Sequence, residues 1–252
     1  MVHWARRIRG VLLATSLVLL PAVAGAQIAT GVINDFEDGS TQGWSINLFG
    51  GGGPMGSPPP AAIPTVIATG GPGGLGDAYL RLTAVGGGGA GGRLVAFNFS
   101  PDWAGNYVTA GINAIRMDAI NVGTTDLFLR FLVEDPSVDP TAPAPPSNIA
   151  ISATPVFLAA GGGWQTVEFP LFGPNGLIAV LGNATTALSN ATFVRILHSP
   201  VPAPGGELNP PPPVIGSLGV DNISAVPEPS TVALFATGAL GLLVASRRKS
   251  RR

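Results

Sequence analysis

Asp35, Glu37 and Asp38 stand close together near the start of the chain, and Asp221 lies near its far end. Hard oxygen ligands gathered in this way suit Ca2+, which takes roughly 6–8 oxygens at ~2.3–2.6 Å. Asp221 can reach the others if the first and last strands of the fold are neighbours. The same residues also read as a solvated acidic turn around Asp38-Gly39-Ser40. Aromatic rings offer a second chemistry, as platforms for sugar faces. The candidates are Trp44, Trp103, Trp164, Tyr79 and Tyr107. Trp44 and Trp164 each open a strand-like segment and read as core. Trp103 and Tyr107, in Pro101-Asp-Trp-Ala-Gly-Asn-Tyr107, read as carried by a loop and are the better candidates for ligand contact among the aromatics, although packing is the commoner role for such rings even there. Buried or exposed, their polar handles need a partner.

Catalytic constellations are sparse. Cysteine is absent, which removes thiol nucleophiles, iron–sulfur ligation and Cys-bound zinc. Between residues 27 and 226 one histidine remains, His198, at the end of a strand-like segment, so a His-rich metal site is excluded. There is no Gly-x-Ser-x-Gly elbow, and the glycine runs lack the Gly-Lys-Ser/Thr context of a phosphate cradle. Five arginines and thirteen carboxylates lie in 27–226, a net charge of −8, although the whole chain is at −1. A lysine-free acidic surface argues against nucleic acid as a partner, because binding there rests on phosphate neutralisation.

The elements that must position these residues are short strands. Segments such as Ala78–Thr83 and Arg93–Phe99 alternate apolar and polar side chains, the mark of a half-buried strand. Further strands are expected at 33–36, 44–49, 114–120, 126–133, 148–153, 164–169, 192–198 and 218–225. Leu177–Leu181 hints at a helical turn. Glycine- and proline-rich loops separate the segments. Nine or ten strands with such turns imply an all-β, two-sheet jelly-roll sandwich.

Both ends differ from this middle. Arg6, Arg7 and Arg9 precede an apolar stretch, Val11–Val23, and Ala24-Gly25-Ala26 is a small-x-small cleavage site, so residues 1–26 read as a signal peptide and Gln27 as the mature start. Residues 226–252 begin with Val226-Pro227-Glu228-Pro229-Ser230, continue in an apolar run at 232–245 and end in a basic cluster at 247–252. Each proline lacks an N–H and fixes φ, so the motif is expected to stay extended and open to a processing enzyme. As a single helix the apolar run reaches only ~22 Å, short of the ~30 Å of a bilayer core, which suits a temporary anchor. With cations at both ends held in the cytoplasm, residues 27–225 form a translocated loop.

This tripartite tail resembles the PEP-CTERM sorting signal of Gram-negative bacteria. The resemblance implies an exosortase, a membrane-embedded protease that cuts at Pro-Glu-Pro, as a partner, and transient residence in the inner membrane before the cell surface or extracellular matrix. Asn34-Asp-Phe-Glu-Asp-Gly-Ser-Thr-Gln-Gly-Trp44, Gly163-Trp-Gln-Thr-Val-Glu-Phe-Pro170 and Gly219-Val-Asp-Asn-Ile223 resemble segments of galactose-binding-like jelly rolls found in carbohydrate-binding modules. That likeness implies adjacent first and last strands. It also implies a structural Ca2+ held first by Glu37 and Asp221 and less surely by Asp35. The function expected is that of an exported, non-catalytic envelope or matrix protein that binds exopolysaccharide. Two alternatives stand beside it: a glycan lyase or hydrolase on a sandwich, and a purely structural matrix protein.

Overall fold

The computed structural model describes residues 28–46, 57–135, 148–202 and 211–228. Ala24, Ala26, Gln27, Pro229, Ser230, the apolar run 232–245 and the basic cluster lie outside the described residues. Among the described residues no helix is long and apolar enough to cross a membrane.

Thirteen strands form two antiparallel sheets. They are β1 (Gly31–Asn34), β2 (Trp44–Ser45), β3 (Thr65–Ile67), β4 (Tyr79–Val85), β5 (Val95–Asn98), β6 (Ile112–Asn121), β7 (Leu127–Asp135), β8 (Asn148–Ser152), β9 (Val156–Leu158), β10 (Gln165–Pro170), β11 (Leu177–Leu181), β12 (Phe193–His198) and β13 (Ile215–Pro227). One sheet runs β10-β6-β13-β4-β3, with β1 also on β13. The other runs β11-β8-β7-β12-β5-β2, with β9 on β7. The first and last strands are thus partners: Gly31 lies opposite Ala225 and Val32 opposite Ser224. The architecture is the expected jelly-roll sandwich.

Alternation builds the core. Leu80, Leu82 and Ala84 of β4, Ile115, Met117 and Ala119 of β6, and Leu218 and Val220 of β13 point inward from one sheet. Leu127, Leu129, Phe131 and Val133 of β7 meet them from the other, with Val194 and Ile196 of β12. The opposite face of that second sheet is also apolar: Leu132, Ile149, Ile151 and Leu197 are buried in a separate cluster. Near them Arg195 pairs with Glu134 and lies over the rings of Phe97 and Phe193.

Two local expectations change. Leu177–Leu181 is a strand paired with β8, and the helix follows it as α1, Ala184–Ser189. Pairing with β8 outweighs the local pattern, and Asn183 starts the helix by accepting a hydrogen bond from the Thr186 N–H at 3.0 Å. The sorting motif is also less open than its prolines suggest. Val226 and Pro227 are the last residues of β13, opposite Ala114 and Ile112 of β6, and the Glu228 N–H donates to the Gly111 carbonyl at 2.8 Å. A proline at a strand's end costs the ladder little, because no donor is needed there.

Candidate functional site

Trp103 and Tyr107 do not face solvent. Pro101–Trp103 is a single 3-10 turn, begun by Ser100, whose side chain accepts from the Asp102 N–H, and it folds the indole inward. Both rings are 0% exposed. Trp103 Nε1 donates to Asn34 Oδ1 at 3.0 Å, and Trp44 Nε1 donates to the same oxygen at 2.9 Å. Tyr107 Oη donates to the Trp103 carbonyl at 3.0 Å, and burial pushes its pKa up. The segment looked like a loop, but its aromatics serve the core, as Trp44 does. His198 is likewise structural: its Nδ1 accepts the Phe128 N–H at 3.0 Å, and burial pushes its pKa down.

Tyr79 and Trp164 are half-buried, less exposed than Phe157 and Phe172, and of these four they alone combine a polar handle with a ring-on-ring contact to each other. Alternation places them on the outer side of the β10-β6-β13-β4 sheet. Leu80 of β4 points inward, so Tyr79 points out. Val167 and Phe169 of β10 are buried, so Trp164, Thr166 and Glu168 lie on the opposite face. The two rings meet edge to face, centroids 5.2 Å apart and planes at 82°. Gly219 lies beneath them on β13. A Cβ there would come within 3.0 Å of two Tyr79 ring carbons and 2.6 Å of Ile120 Cγ2, so the tyrosine lies flat where the glycine leaves room.

Backbone and side chains hold this corner. Trp164 Nε1 donates to the Gly70 carbonyl at 2.9 Å. The loop that supplies this carbonyl, 68–76, is tied by Gly70 N–H to Gly74 O and by Gly76 N–H to Thr69 Oγ1. The Asp77 carboxylate accepts from the Gly73 N–H, and a Cβ at Gly71 would collide with that carboxylate at 2.5 Å. Leu75, at the tip, is 98% exposed. Polar groups flank the rings. Thr166 Oγ1 donates to Asp118 Oδ1 at 2.6 Å, and Asn222 Nδ2 donates to Asp118 Oδ2 at 3.0 Å. Exposed Arg81 stands opposite Gly219 in the register. Trp164, read from sequence as core, is half-buried on the outer face of the sheet. The signal that finds it is its even-numbered parity with Thr166 and Glu168, against buried Val167 and Phe169.

The acidic residues fall into two groups. Asp35 and Asp38 form an exposed turn: Asp35 accepts from Gln42 Nε2 at 3.0 Å, and Asp38 accepts from the Ser40 N–H and hydroxyl at 2.9 Å. These bonds hold the Asp38 carboxyl below the usual range. Glu37 instead accepts the Ala78 N–H at 2.9 Å. Its charge reaches Asp221, together with those of Asp77 and Asp118, two residues the sequence reading did not single out. Asp221 is 1% exposed. Burial first, then these three carboxylates, push its pKa up to about 7 against the Asn222 N–H bond, which lowers it. The cluster has the charge to attract a divalent cation. Among the described residues, however, no three carboxylates or imidazoles are spaced to close on one ion.

Residues 225–249 match the PEP-CTERM protein-sorting motif. No curated protein matches the chain. Among solved structures, an exo-β-agarase is similar at 11% identity and a TM-score of 0.50, over 79% of this chain and 25% of the agarase, so the chain spans about a quarter of that enzyme. The family 11 carbohydrate-binding module of cellulosomal cellulase Lic26A-Cel5E of Clostridium thermocellum is similar at 14% identity and a TM-score of 0.48, over 80% of this chain and 96% of the module. A family 28 module specific for non-crystalline cellulose is similar at 14% identity and a TM-score of 0.43, over 82% and 99% of the two chains. The chain therefore joins a PEP-CTERM sorting motif to a jelly-roll sandwich whose structural neighbours include carbohydrate-binding modules.

Proposed function

We propose that this is an exported protein that binds polysaccharide without cleaving it, and that the Tyr79–Trp164 corner is its sugar platform. The observation that carries the reading is the pair of half-buried rings on the outer face of the sheet, set edge to face near Arg81, Asp118, Thr166 and Asn222. Sugars present apolar C–H faces rimmed by hydroxyls, and rings beside fixed donors and acceptors match both. The polar groups that flank the rings are bonded to one another, which suits recognition more than proton transfer. The sorting motif supports delivery by an exosortase through the inner membrane to the cell surface or extracellular matrix. Affinity electrophoresis of the 27–226 fragment in gels containing soluble β-glucans, agarose-derived glycans or the producing cell's exopolysaccharide tests the reading. Retardation by one polymer, lost in Trp164→Ala and kept in Trp103→Phe, is the expected result. Equal mobility of wild type and Trp164→Ala in every gel overturns it.

We also propose that Ca2+ stabilises the domain at Glu37 and Asp221. The support is the crowding of Glu37, Asp77 and Asp118 around a buried carboxylate, and these side chains must turn toward one another to bind the ion. Asp35, tied to Gln42, is not part of that set.

A further inference from the structure

We propose that the folded domain keeps its own sorting motif shut, so that the processing protease acts on a strand end that has first opened. The proposal rests on where the motif sits. Val226 and Pro227 complete β13, opposite Ala114 and, past a shift of register, Ile112 of β6, and the Glu228 N–H is bonded to the Gly111 carbonyl. Up to Ala225 the strand is flanked on both sides, by β6 and by β1, since Gly31 faces Ala225 and Val32 faces Ser224. Beyond Ala225 β6 alone holds it. Proteases take substrates in extended form through backbone pairing in their own clefts, and residues 226–228 already give that pairing to β6. Cleavage breaks one peptide C–N bond: the acyl carbon, which stays with the domain, bonds to the attacking nucleophile (water in a hydrolysis), and the nitrogen takes that nucleophile's proton and leaves with the tail as an amine. The acyl side must therefore peel away from β6 before it can enter the protease.

The geometry also limits the peeling. The end from Val226 onward is held by a few backbone hydrogen bonds to β6. The cost of breaking them keeps the open population about tenfold to a hundredfold below the closed one. Fraying past Ala225 must also undo β1 and expose Ala225, which is fully buried. The mature chain accordingly ends after Ala225.

Pulse-chase labelling in cells that carry the sorting protease tests this on the full chain. An Ala114→Cys/Val226→Cys pair places two thiols at directly opposed positions, in a chain with no other cysteine. Oxidation is expected to slow processing at least tenfold relative to the same double variant kept reduced, and added reductant to restore the rate of that reduced form. A six-residue Gly/Ser insertion between Ala225 and Val226 is expected to speed processing several-fold, because the motif leaves β6. Processing of the cross-linked chain at the rate of its reduced form, an insertion without effect, or a mature C-terminus before Ala225 overturns the proposal.

Discussion

Asn34 and Trp103 are joined by a buried hydrogen bond, Nε1 to Oδ1 at 3.0 Å, across 69 residues of sequence. The same oxygen serves Trp44. One amide thus satisfies two indoles and ties β1 and β2 to the 3-10 turn before β6. Asn34→Ala leaves two buried N–H groups without an acceptor, at about 1–3 kcal/mol each. Urea unfolding of the 27–226 fragment is expected to show a loss of several kcal/mol. Trp103→Ala is expected to cost about 3–5 kcal/mol. A Trp103→Ala domain that keeps its stability and loses only glycan binding would contradict its place in the core.

The platform makes the opposite prediction. Trp164→Ala and Tyr79→Ala are expected to lower the melting temperature by a few degrees at most and to abolish polymer retardation. Gly219→Val separates shape from composition. Its side chain meets the flat face of Tyr79 and Ile120 and must tip the ring. Binding is expected to weaken about tenfold or more while both aromatics remain, a loss of about 1.4 kcal/mol or more. Unchanged retardation in Gly219→Val would show that the flat seat of Tyr79 is irrelevant.

Much of this was legible in the sequence. The strand pattern and the sandwich followed from period-2 alternation and the turns, and the pairing of first with last strand was implied by the resemblance of the bracketing segments to galactose-binding-like jelly rolls. The short strands β3 and β9 were missed, because three residues carry too little pattern to separate from a loop. The packing reading of Trp103 holds and its candidacy for ligand contact does not, because a tight turn buries what a proline-containing loop seems to expose. Asp77 and Asp118 were missed because their meeting with Asp221 depends on strand register. Register brings Asp118 opposite Asp221 across β6 and β13, and no local spacing encodes that.

Acid is expected to stabilise the domain through Asp221. Asp221 is pushed up to about 7 in the folded state from an ordinary value of 3.8. Between those two pH values the folded chain holds a proton that the unfolded chain has released. The Asp221 contribution is therefore full below about pH 4, falls as pH rises towards 7, and levels off above. Burial raises Glu134 in the same direction, while Arg195 pulls it back. Burial lowers His198, which acts the other way and loses stability as pH falls below its ordinary 6.5. The Asp221 slope is therefore read as a difference: the melting temperature of wild type relative to Asp221→Asn should decline from pH 4 to 8. A difference that grows with pH would contradict the crowding of carboxylates around Asp221.

Calcium would change that slope. A bound dication favours the ionised carboxylate, so added Ca2+ is expected to raise the melting temperature most near pH 7–8 and EDTA to reverse the gain. Asp221→Asn should remove the response, and Asp35→Asn should leave it intact. Identical melting curves in Ca2+ and EDTA at pH 7.5 would remove the metal from the account.

Arg130 is buried without a carboxylate beside it and spends its donors on backbone oxygens. Nε reaches the Ser199 carbonyl at 2.8 Å, Nη1 the carbonyls of Ser152 and Ala153, and Nη2 that of Pro200 at 3.1 Å. Arg130→Met would leave four carbonyls unserved. The expected cost is about 3 kcal/mol or more, read by urea unfolding, and a fully stable Arg130→Met domain would show that water replaces the guanidinium.

The partnership of β1 with β13 has a consequence for secretion itself. A sheet whose opening strand waits for its closing one cannot be completed while the polypeptide is still passing through a translocation channel. The missing partner is the last part of the domain to emerge. Such long-range closure is slow to form, so the chain stays threadable throughout its passage and locks once its final strand arrives on the far side.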